Sequence, residues 1–333
     1  MEHRPTVVVA GGAGYIGSHM VRMLRDSGYQ PLIVDNLATG HAVAAQGQVF
    51  EQGDIGDKAF MGALLQRVKP VCVMHFAASS LVGESMTQPG KYWRNNLVQT
   101  LNLLDSMCEH GVKQFIFSST AAVFGNPIEV PITEQHPCNP INPYGHSKLA
   151  VEYLLRDYEA AHGLRSIALR YFNAAGAHPD GDIGERHEPE THLIPLVLQV
   201  ASGRRPHIAR YGSTHATPDG SCIRDYVHVQ DLCAAHLLAL RKLESGAATT
   251  RYNLGNGQGH SVNEVIDAVR RVTGHPIPVR DDPPRAGDPP VLVADASRAR
   301  AELGWTPRYA DLDTLIAHAW KWEQRLHQTA PGP

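Results

Sequence analysis

Residues 6–18 read Thr-Val-Val-Val-Ala-Gly-Gly-Ala-Gly-Tyr-Ile-Gly-Ser, and this stretch decides the fold. Its first five residues are the apolar, largely β-branched kind that favours a buried strand. Gly11, Gly14 and Gly17 follow at a spacing that lets the backbone turn sharply, approach an anion and pack a new helix on the sheet. A strand, a glycine turn and a helix in this order are typical of a site for the pyrophosphate of a dinucleotide.

Short apolar runs alternate with amphipathic stretches through the first half of the chain. Strands are predicted at residues 6–10, 30–35, 71–76, 114–118 and 166–170, and helices at about 15–27, 57–68, 91–110 and 144–162. This alternation predicts parallel strands joined by right-handed crossovers. The fold class is therefore α/β, a Rossmann-type doubly wound parallel sheet with a smaller mixed α/β carboxyl-terminal substrate lobe.

The pattern changes after Asn173, where a stretch rich in glycine, proline and histidine interrupts the alternation. We predict a dinucleotide-binding domain at residues 1–172, to which about 225–258 return. Residues 173–224 and 259–333 are assigned to the substrate lobe. A length of 333 residues agrees with roughly two domains.

The composition narrows the class of protein. Hydrophobic residues make up 43% of the chain and the net charge is −3, which argues against a nucleic-acid or anionic-membrane partner. The sequence contains no apolar run long enough to predict a membrane span, and it shows no pattern typical of a signal peptide. The cysteines are widely spaced, which indicates reduced thiols and a cytoplasmic protein. They are Cys72, Cys108, Cys138, Cys222 and Cys233.

Asp35 supplies the second half of the dinucleotide pattern. It ends the second predicted strand, where a carboxylate accepts hydrogen bonds from the adenosine ribose. No Arg or Lys follows in residues 36–39 to meet a 2′-phosphate, so NAD is favoured over NADP. Asp54, in Glu51-Gln52-Gly53-Asp54-Ile55, lies at the end of a later strand and is a candidate for the adenine end, although a turn-forming role explains it nearly as well.

Tyr144 and Lys148 lie four residues apart at the start of a predicted helix and therefore on one face. An ammonium beside a phenol lowers the pKa of the phenol and makes it a usable general base. Thr120 ends the hydroxyl cluster Ser118-Ser119-Thr120 at a predicted carboxyl strand end, where open α/β sheets bind their ligands. These three residues are the candidate catalytic group, although on these patterns alone a turn-capping role explains the hydroxyl cluster better.

Taken together, the motifs resemble the extended short-chain dehydrogenases/reductases and, within them, the UDP-glucose 4-epimerases. The similarity extends over nearly the whole chain, through GGAGYIGSH, VDNLATGH, HFAASSLVGES, FIFSST, NPYGHSK, RYFNAAGAHP, RDYVHV, YNLGNG and RAGD. It implies NAD as a tightly bound cofactor and a UDP-hexose as substrate. The expected reaction is reversible oxidation at sugar carbon 4 through a 4-keto intermediate, with a related UDP-uronate or UDP-pentose epimerase as the alternative.

The resemblance also implies which residues contact each ligand. NAD is expected at Gly11, Gly14, Tyr15, Ile16, Gly17, Asp35, Asn36, Thr39, Asp54, Ile55, Phe76, Ala77, Ala78, Asn95, Tyr144, Lys148 and Phe172. The nucleotide sugar is expected at Thr120, Tyr144, Asn173, His192, Leu193, Tyr211, Arg224, Arg285, Asp288 and Leu292. Arg224 and Arg285 are the predicted diphosphate ligands, since a guanidinium fork suits phosphate oxygens.

Leu292 stands where relatives restricted to unacetylated sugars carry a bulky tyrosine, so UDP-GlcNAc and UDP-GalNAc are secondary candidate substrates. Relatives pair through the helices corresponding to 91–110 and 144–162, which implies a homodimer. Ala121-Ala122 after Thr120 lack the acidic pair of the dehydratases and argue against water elimination. A catalytically silent NAD sensor is disfavoured because Thr120, Tyr144 and Lys148 are all present.

Nineteen histidines invite a search for a metal site. The richest stretch, residues 187–192, reads His-Glu-Pro-Glu-Thr-His, which contains a proline and lacks HExxH spacing. We therefore expect no metal.

Overall fold

The computed structural model describes residues 4–284 and 289–329. The amino-terminal part alternates strands with helices. Its elements are β1 Thr6–Ala10, α1 Tyr15–Asp26, β2 Gln30–Asp35, β3 Val49–Gln52, α2 Lys58–Val68, β4 Cys72–His75, α3 Val82–Thr87, α4 Pro89–Tyr92, a π-helical segment Trp93–Val98, α5 Gln99–Glu109, β5 Gln114–Thr120, α6 Pro143–His162 and β6 Arg165–Tyr171.

Shorter strands and longer connections characterise the second part. Its elements are β7 Asn173–Ala175, α7 Leu193–Ala201, β8 Ile208–Tyr211, β9 Ile223–Arg224, β10 Tyr226–His228, α8 Val229–Glu244, β11 Thr250–Leu254, β12 His260–Ser261, α9 Val262–Thr273, β13 Val279–Asp282, β14 Val291–Leu292, α10 Ser297–Leu303 and α11 Leu312–Thr329. Among the described residues no helix is long and apolar enough to cross a membrane.

Seven parallel strands form the main sheet, in the order β11-β6-β5-β4-β1-β2-β3. The strand order reverses between β1 and β4, so a crevice opens there at the carboxyl ends of the strands. Helices α1, α8 and α10 cover one face, and α2, α5 and α6 cover the other. The predicted α/β, doubly wound parallel sheet is confirmed.

Two strands of this sheet were given no bounds by the sequence prediction, and both lie at its edges. β3 is half-exposed and has only two apolar residues, so it lacks the continuous apolar run of a central strand. β11 comes from residues 250–254, far along the chain, and pairs with β6 in register Thr250 to Ile167. Its pairing depends on α8, which crosses the sheet face before it.

A smaller core lies between α7, α9 and α11. Short two- and three-stranded sheets connect it to the main sheet: β10 pairs with β7, and β9 lies between β12 and β14. These short strands carry the chain past the carboxyl edge of the main sheet. The chain enters this second part directly after the carboxyl end of β6, where β7 begins at Asn173.

A buried ion pair fixes α6 to the sheet. The carboxylate of Glu152 on α6 accepts two hydrogen bonds from Arg170 on β6, from Nε to Oε1 at 2.9 Å and from Nη2 to Oε2 at 2.5 Å. Its Oε1 also accepts a hydrogen bond from the Ser119 hydroxyl of β5 at 2.6 Å. The two charged side chains are 7% and 1% exposed. Because neither charge reaches bulk water, each depends on the other for its stabilisation.

Replacing Glu152 by glutamine should therefore be costly. Glu152→Gln leaves the Arg170 guanidinium buried without its counter-charge, and we expect the free energy of unfolding to fall by about 3–5 kcal/mol. Urea denaturation followed by circular dichroism measures this change.

Asp157→Asn is the matched control, because Asp157 pairs with Arg156 on the same helix with side chains 62% and 71% exposed. That substitution should change stability by less than about 1 kcal/mol. Equal effects of the two substitutions would contradict the anchoring role of Glu152.

Candidate active site

The glycine turn after β1 is packed so tightly that side chains are excluded. Gly11 has φ +80°, and a Cβ there would lie 2.5 Å from the backbone nitrogen of Ala77. A Cβ on Gly17 would lie 2.1 Å from the carbonyl oxygen of Gly11. Gly14 is the N-cap of α1, and the first turn of that helix carries no acidic residue. The turn thus presents backbone N–H groups and a positive helix end, which fits a pyrophosphate.

Asp35 lies beside this turn at the end of β2. Its Oδ2 accepts the backbone N–H of Ala13 at 3.0 Å and its Oδ1 accepts that of Leu37 at 2.8 Å. The carboxylate is thereby held at the sheet edge next to the glycine turn. Asn36 and Thr39, in the loop that follows, are exposed. This arrangement fits a ribose bound across the end of β2.

Asp54 joins the loop after β3 to the neighbouring elements. Its Oδ2 accepts the side-chain amides of Asn36 at 3.2 Å and Gln99 at 3.1 Å, and its Oδ1 accepts the backbone N–H of Gly56 at 2.8 Å. Ile55 beside it is buried. The structure therefore brings Asp54 and Ile55 to the same sheet edge as Asp35, where the adenine end was expected.

The strand-end loop after β4 holds Phe76, Ala77 and Ala78, directly beneath the glycine turn. Asn95 lies in the π-helical segment and donates to the side chain of Asn96 at 3.1 Å. These residues occupy the middle of the crevice, between the glycine turn and α6.

Asn96 is a positioning residue that the sequence prediction missed. Buried almost completely, it accepts the N–H of Ser79 at 2.8 Å, donates to the carbonyl of Ser79 at 3.0 Å and donates to the hydroxyl of Ser147 on α6 at 3.1 Å. It therefore ties the loop after β4 to α6. The repeated asparagine in Arg94-Asn95-Asn96 is the only signal of this role in the sequence.

Helix α6 begins at the crevice and carries the predicted catalytic side chains. Its N-cap, Asn142, accepts the backbone N–H of Gly145 at 2.8 Å, and Pro143 occupies the first turn. Lys148 is buried; its Nζ donates to the carbonyl oxygen of Ser118 on β5 at 2.9 Å and lies 4.7 Å from the centroid of the Phe117 ring. One helix face therefore meets the carboxyl end of β5.

Thr120 ends β5, facing Tyr144. Its Oγ1 accepts the backbone N–H of Ala122 at 3.1 Å, which fixes the hydroxyl at the strand end. Burial raises the pKa of the Tyr144 phenol, and hydrogen bonding with Thr120 opposes this by lowering it. The structure thus brings Thr120, Tyr144 and Lys148 together at the carboxyl edge of the sheet.

The structure does not show the expected lowering of the Tyr144 pKa by Lys148. Burial lowers the pKa of Lys148 to about 7, and its Nζ is bonded to a backbone carbonyl. Because burial of the phenol dominates, the pKa of Tyr144 lies above its usual value and not below it. The sequence prediction counted the spacing of the two residues but not the desolvation of each.

Most of the other candidate substrate residues lie on short strands of the second part of the chain. Asn173 begins β7 and donates its backbone N–H to the carbonyl of Asp225 at 3.1 Å. Arg224 and Leu292 face each other in the pairing of β9 with β14. Leu292 packs with Phe172 against the small apolar cluster around Phe124.

Three further candidates begin or end elements of the second lobe, and two lie beyond the described residues. His192 is the N-cap of α7 and Leu193 is its first residue. Tyr211 ends β8 and is 39% exposed. Arg285 and Asp288 fall outside the described ranges.

The geometry agrees with what the chain resembles among known proteins. Residues 7–255 match the NAD dependent epimerase/dehydratase family. The chain is 50% identical over 318 residues to the UDP-glucose 4-epimerase of Halalkalibacterium halodurans, covering 96% of this chain and 95% of that protein.

Two solved structures are similar along almost their whole length. UDP-glucose 4-epimerase from Brucella ovis in complex with NAD is 47% identical, with a TM-score of 0.92, covering 95% of this chain and 98% of that one. UDP-glucose-4-epimerase from Stenotrophomonas maltophila, with bound NAD and formylated UDP-arabinopyranose, is 41% identical, with a TM-score of 0.95, covering 98% and 100%. The chain therefore belongs to the NAD dependent epimerase/dehydratase family and, within it, to the UDP-glucose 4-epimerases.

Proposed function

We propose that this chain interconverts UDP-glucose and UDP-galactose by reversible oxidation at sugar carbon 4, with NAD tightly bound. One observation carries the proposal: Thr120, Tyr144 and Lys148 meet at the carboxyl edge of the parallel sheet, next to the glycine turn. That edge is where an open α/β sheet binds a dinucleotide and its substrate.

The fit of NAD rests on groups at both ends of the crevice. The turn at Gly11, Gly14 and Gly17 would hold the pyrophosphate on backbone N–H groups, and Asp35 would accept the ribose hydroxyls. The remaining proposed contacts with NAD are Tyr15, Ile16, Asn36, Thr39, Asp54, Ile55, Phe76, Ala77, Ala78, Asn95, Lys148 and Phe172. NAD, when bound, supplies the acceptor and donor of hydride.

Tyr144 is the proposed general base. Because burial raises the pKa of the phenol, the phenolate form needs a nearby positive charge, which the cationic ring of bound NAD would supply. In that form the Tyr144 oxygen takes the proton from the hydroxyl on carbon 4, while the Thr120 hydroxyl orients that same group. The bonding pair leaves carbon 4 as hydride, so a 4-keto sugar forms and one proton rests on Tyr144. When the keto sugar presents its other face, the hydride and the proton return, and the configuration at carbon 4 is inverted with no net redox change.

Diphosphate binding should keep the sugar in the site while it turns. Arg224, at the end of β9, is the proposed phosphate ligand within the described residues, and Arg285 is a second. The other proposed substrate contacts are Asn173, His192, Leu193, Tyr211, Asp288 and Leu292.

We also propose a division of the chain into two domains. Residues 1–172 with 225–258 would bind NAD, and residues 173–224 with 259–333 would bind the UDP-sugar. The proposed location of the protein is the cytoplasm.

The chemistry after Thr120 favours epimerisation over elimination. Ala121 and Ala122 follow it in a short helical turn, and Ala121 is buried. Neither side chain can donate or accept a proton, so the elimination of water at carbon 6 lacks its acid and base at these positions. A keto sugar formed here can therefore only be reduced again.

Tyr144→Phe tests the assignment of the base. The substitution removes the proton acceptor but keeps the ring, so we expect turnover of UDP-galactose to fall by about 10²- to 10⁴-fold with the bound NAD unchanged. Conversion is measured chromatographically with no NAD added, and bound NAD is measured after denaturation.

Tyr153→Phe is the matched control, since Tyr153 lies on the same helix with 52% of its surface exposed. Its turnover should equal that of the wild type. Full activity of Tyr144→Phe would overturn the assignment, and faster turnover of UDP-glucuronate than of UDP-galactose by the wild type would favour the uronate alternative.

A second substrate class is proposed from Leu292. Its half-buried side chain packs, like that of Phe172, against the apolar cluster that contains Ala121, the residue after Thr120, so we expect its size to affect the room around the sugar. A leucine here leaves space for an N-acetyl group that a tyrosine would fill.

Leu292→Tyr should therefore separate the two substrate classes. We expect the wild type to convert UDP-GlcNAc, and the variant to lose this activity by about 10- to 100-fold while keeping its activity on UDP-glucose. Leu292→Met, which conserves volume, should keep both. Wild-type protein inactive on UDP-GlcNAc would overturn this extension without affecting the main proposal.

A homodimer is proposed through the π-helical segment, α5 and α6. Trp93 and Val98, both in the π-helical segment, expose 39% and 46% of their surfaces. Large apolar side chains exposed together are typical of a protein interface. Sedimentation velocity measures the assembly, with a dimer expected and a monomer contradicting it.

A further inference from the structure

Two glutamates and two histidines converge in the loop before α7. Glu185, His187, Glu190 and His192, here called the 185–192 cluster, each present one oxygen or Nδ1 nitrogen, and these four atoms lie within 4.8 Å of one another. We propose that the 185–192 cluster binds one divalent transition-metal ion, zinc by its chemistry, as a structural site of the substrate lobe.

The spacing of the donor atoms suits a tetrahedral ion. Nδ1 of His187 lies 3.2 Å from Oε1 of Glu185 and 3.6 Å from Oε2 of Glu190, and Nδ1 of His192 lies 3.6 Å from Oε1 of Glu190. Zinc bonds of about 2.0–2.2 Å in a tetrahedron place neighbouring ligand atoms about 3.3–3.6 Å apart. Nδ1 of His192 and Oε1 of Glu185 are closer, at 2.5 Å, and form a hydrogen bond, so an ion would need to replace that bond and separate the pair.

The buried carboxylates of the cluster require a compensating positive charge. The side chains of Glu185 and Glu190 are 5% and 6% exposed. Two carboxylates this close and this buried are stable only with a compensating cation. Protons on both imidazoles are the competing occupant, because the carboxylates raise the pKa of His187 and His192 against the lowering effect of burial.

The geometry at His187 favours a metal over a proton, although Nδ1 of His192 already makes a hydrogen bond with Oε1 of Glu185. Nδ1 of His187 is buried and makes no hydrogen bond to any described group, although a carboxylate oxygen lies 3.2 Å away. A protonated imidazole would direct its N–H at that oxygen, whereas a metal ligand directs its lone pair at a point between the donors.

The carboxylate of Glu190 is already oriented. Its Oε1 accepts the backbone N–H groups of Thr191 at 2.8 Å and His192 at 2.9 Å. Outer hydrogen bonds of this kind hold a carboxylate in a ligating position. Imidazole nitrogens and carboxylate oxygens together are a donor set that zinc accepts.

The location assigns the ion a structural role. Trp322 of α11 donates its Nε1–H to the carbonyl of Glu185 at 2.7 Å, and the ring of Tyr15, from the glycine turn, lies edge-on to His187 with centroids 6.4 Å apart. His192 is also the N-cap of α7. An ion here would fix the loop that joins α11, the glycine turn and α7.

Metal retention tests the proposal without reference to activity. Protein freed of any histidine tag is incubated with Zn²⁺, passed through gel filtration and analysed for metal; we expect about one zinc per chain, held tetrahedrally. Co²⁺ in the same site should give the visible absorption bands of a tetrahedral complex.

His187→Gln and Glu190→Gln should each weaken retention by more than about 100-fold, since loss of a mere hydrogen-bond partner of a ligand already costs about 10- to 100-fold. Glu190→Gln keeps an oxygen for the two backbone N–H groups, so its fold should survive, and circular dichroism with bound NAD confirms this. The control is His178→Gln, from a separate His178–Asp180–Asp182 group whose aspartates already pair with Arg22.

The control should retain zinc like the wild type. Wild-type protein that holds no more zinc than His187→Gln, a Co²⁺ spectrum without tetrahedral bands, or a loss confined to His178→Gln would each overturn the proposal. None of these outcomes bears on the epimerase function, which the UDP-galactose assay measures separately.

Discussion

The seating of α6 on the carboxyl ends of β5 and β6 is the constraint on which the site depends. Three side chains at successive turns of one helix face make it: Tyr144 meets Thr120, Lys148 donates to the carbonyl of Ser118, and Glu152 pairs with Arg170. Polar groups buried this deeply must all be satisfied at once, so the helix has only one register on the sheet. The phenol and the threonine hydroxyl meet as a consequence.

The position of α6 also fixes the loop on the other side of the crevice, where NAD is proposed to bind. Asn96 joins Ser147 of α6 to the loop after β4, and that loop packs beneath Gly11 of the glycine turn. The helix that carries the proposed base, the loop after β4 and the glycine turn are therefore held by one continuous set of contacts. Precise placement of this kind is what transfer of hydride and proton at a single carbon requires.

Local patterns made much of this predictable. Each predictable feature lies within a short stretch of the chain: the strand and glycine turn at residues 6–17, the acidic end of β2 at Asp35, and the four-residue spacing of Tyr144 and Lys148. What depends on distant contacts was not predictable. Glu152 and Arg170 are far apart in sequence, β11 joins the sheet only after α8, and the pKa of Tyr144 follows burial that no spacing reveals. The 185–192 cluster matched no motif because Glu185 lies outside the histidine-rich hexapeptide.

The most direct measurement follows the hydrogen on carbon 4. UDP-galactose carrying deuterium at that carbon is converted in ordinary water, without added NAD, and the UDP-glucose formed is analysed by mass spectrometry and NMR. If hydride leaves and returns within one site, as we propose for the group of Thr120, Tyr144 and Lys148 beside bound NAD, the product keeps its deuterium at carbon 4. Loss of the label to solvent, or no conversion until NAD is supplied, would contradict this account.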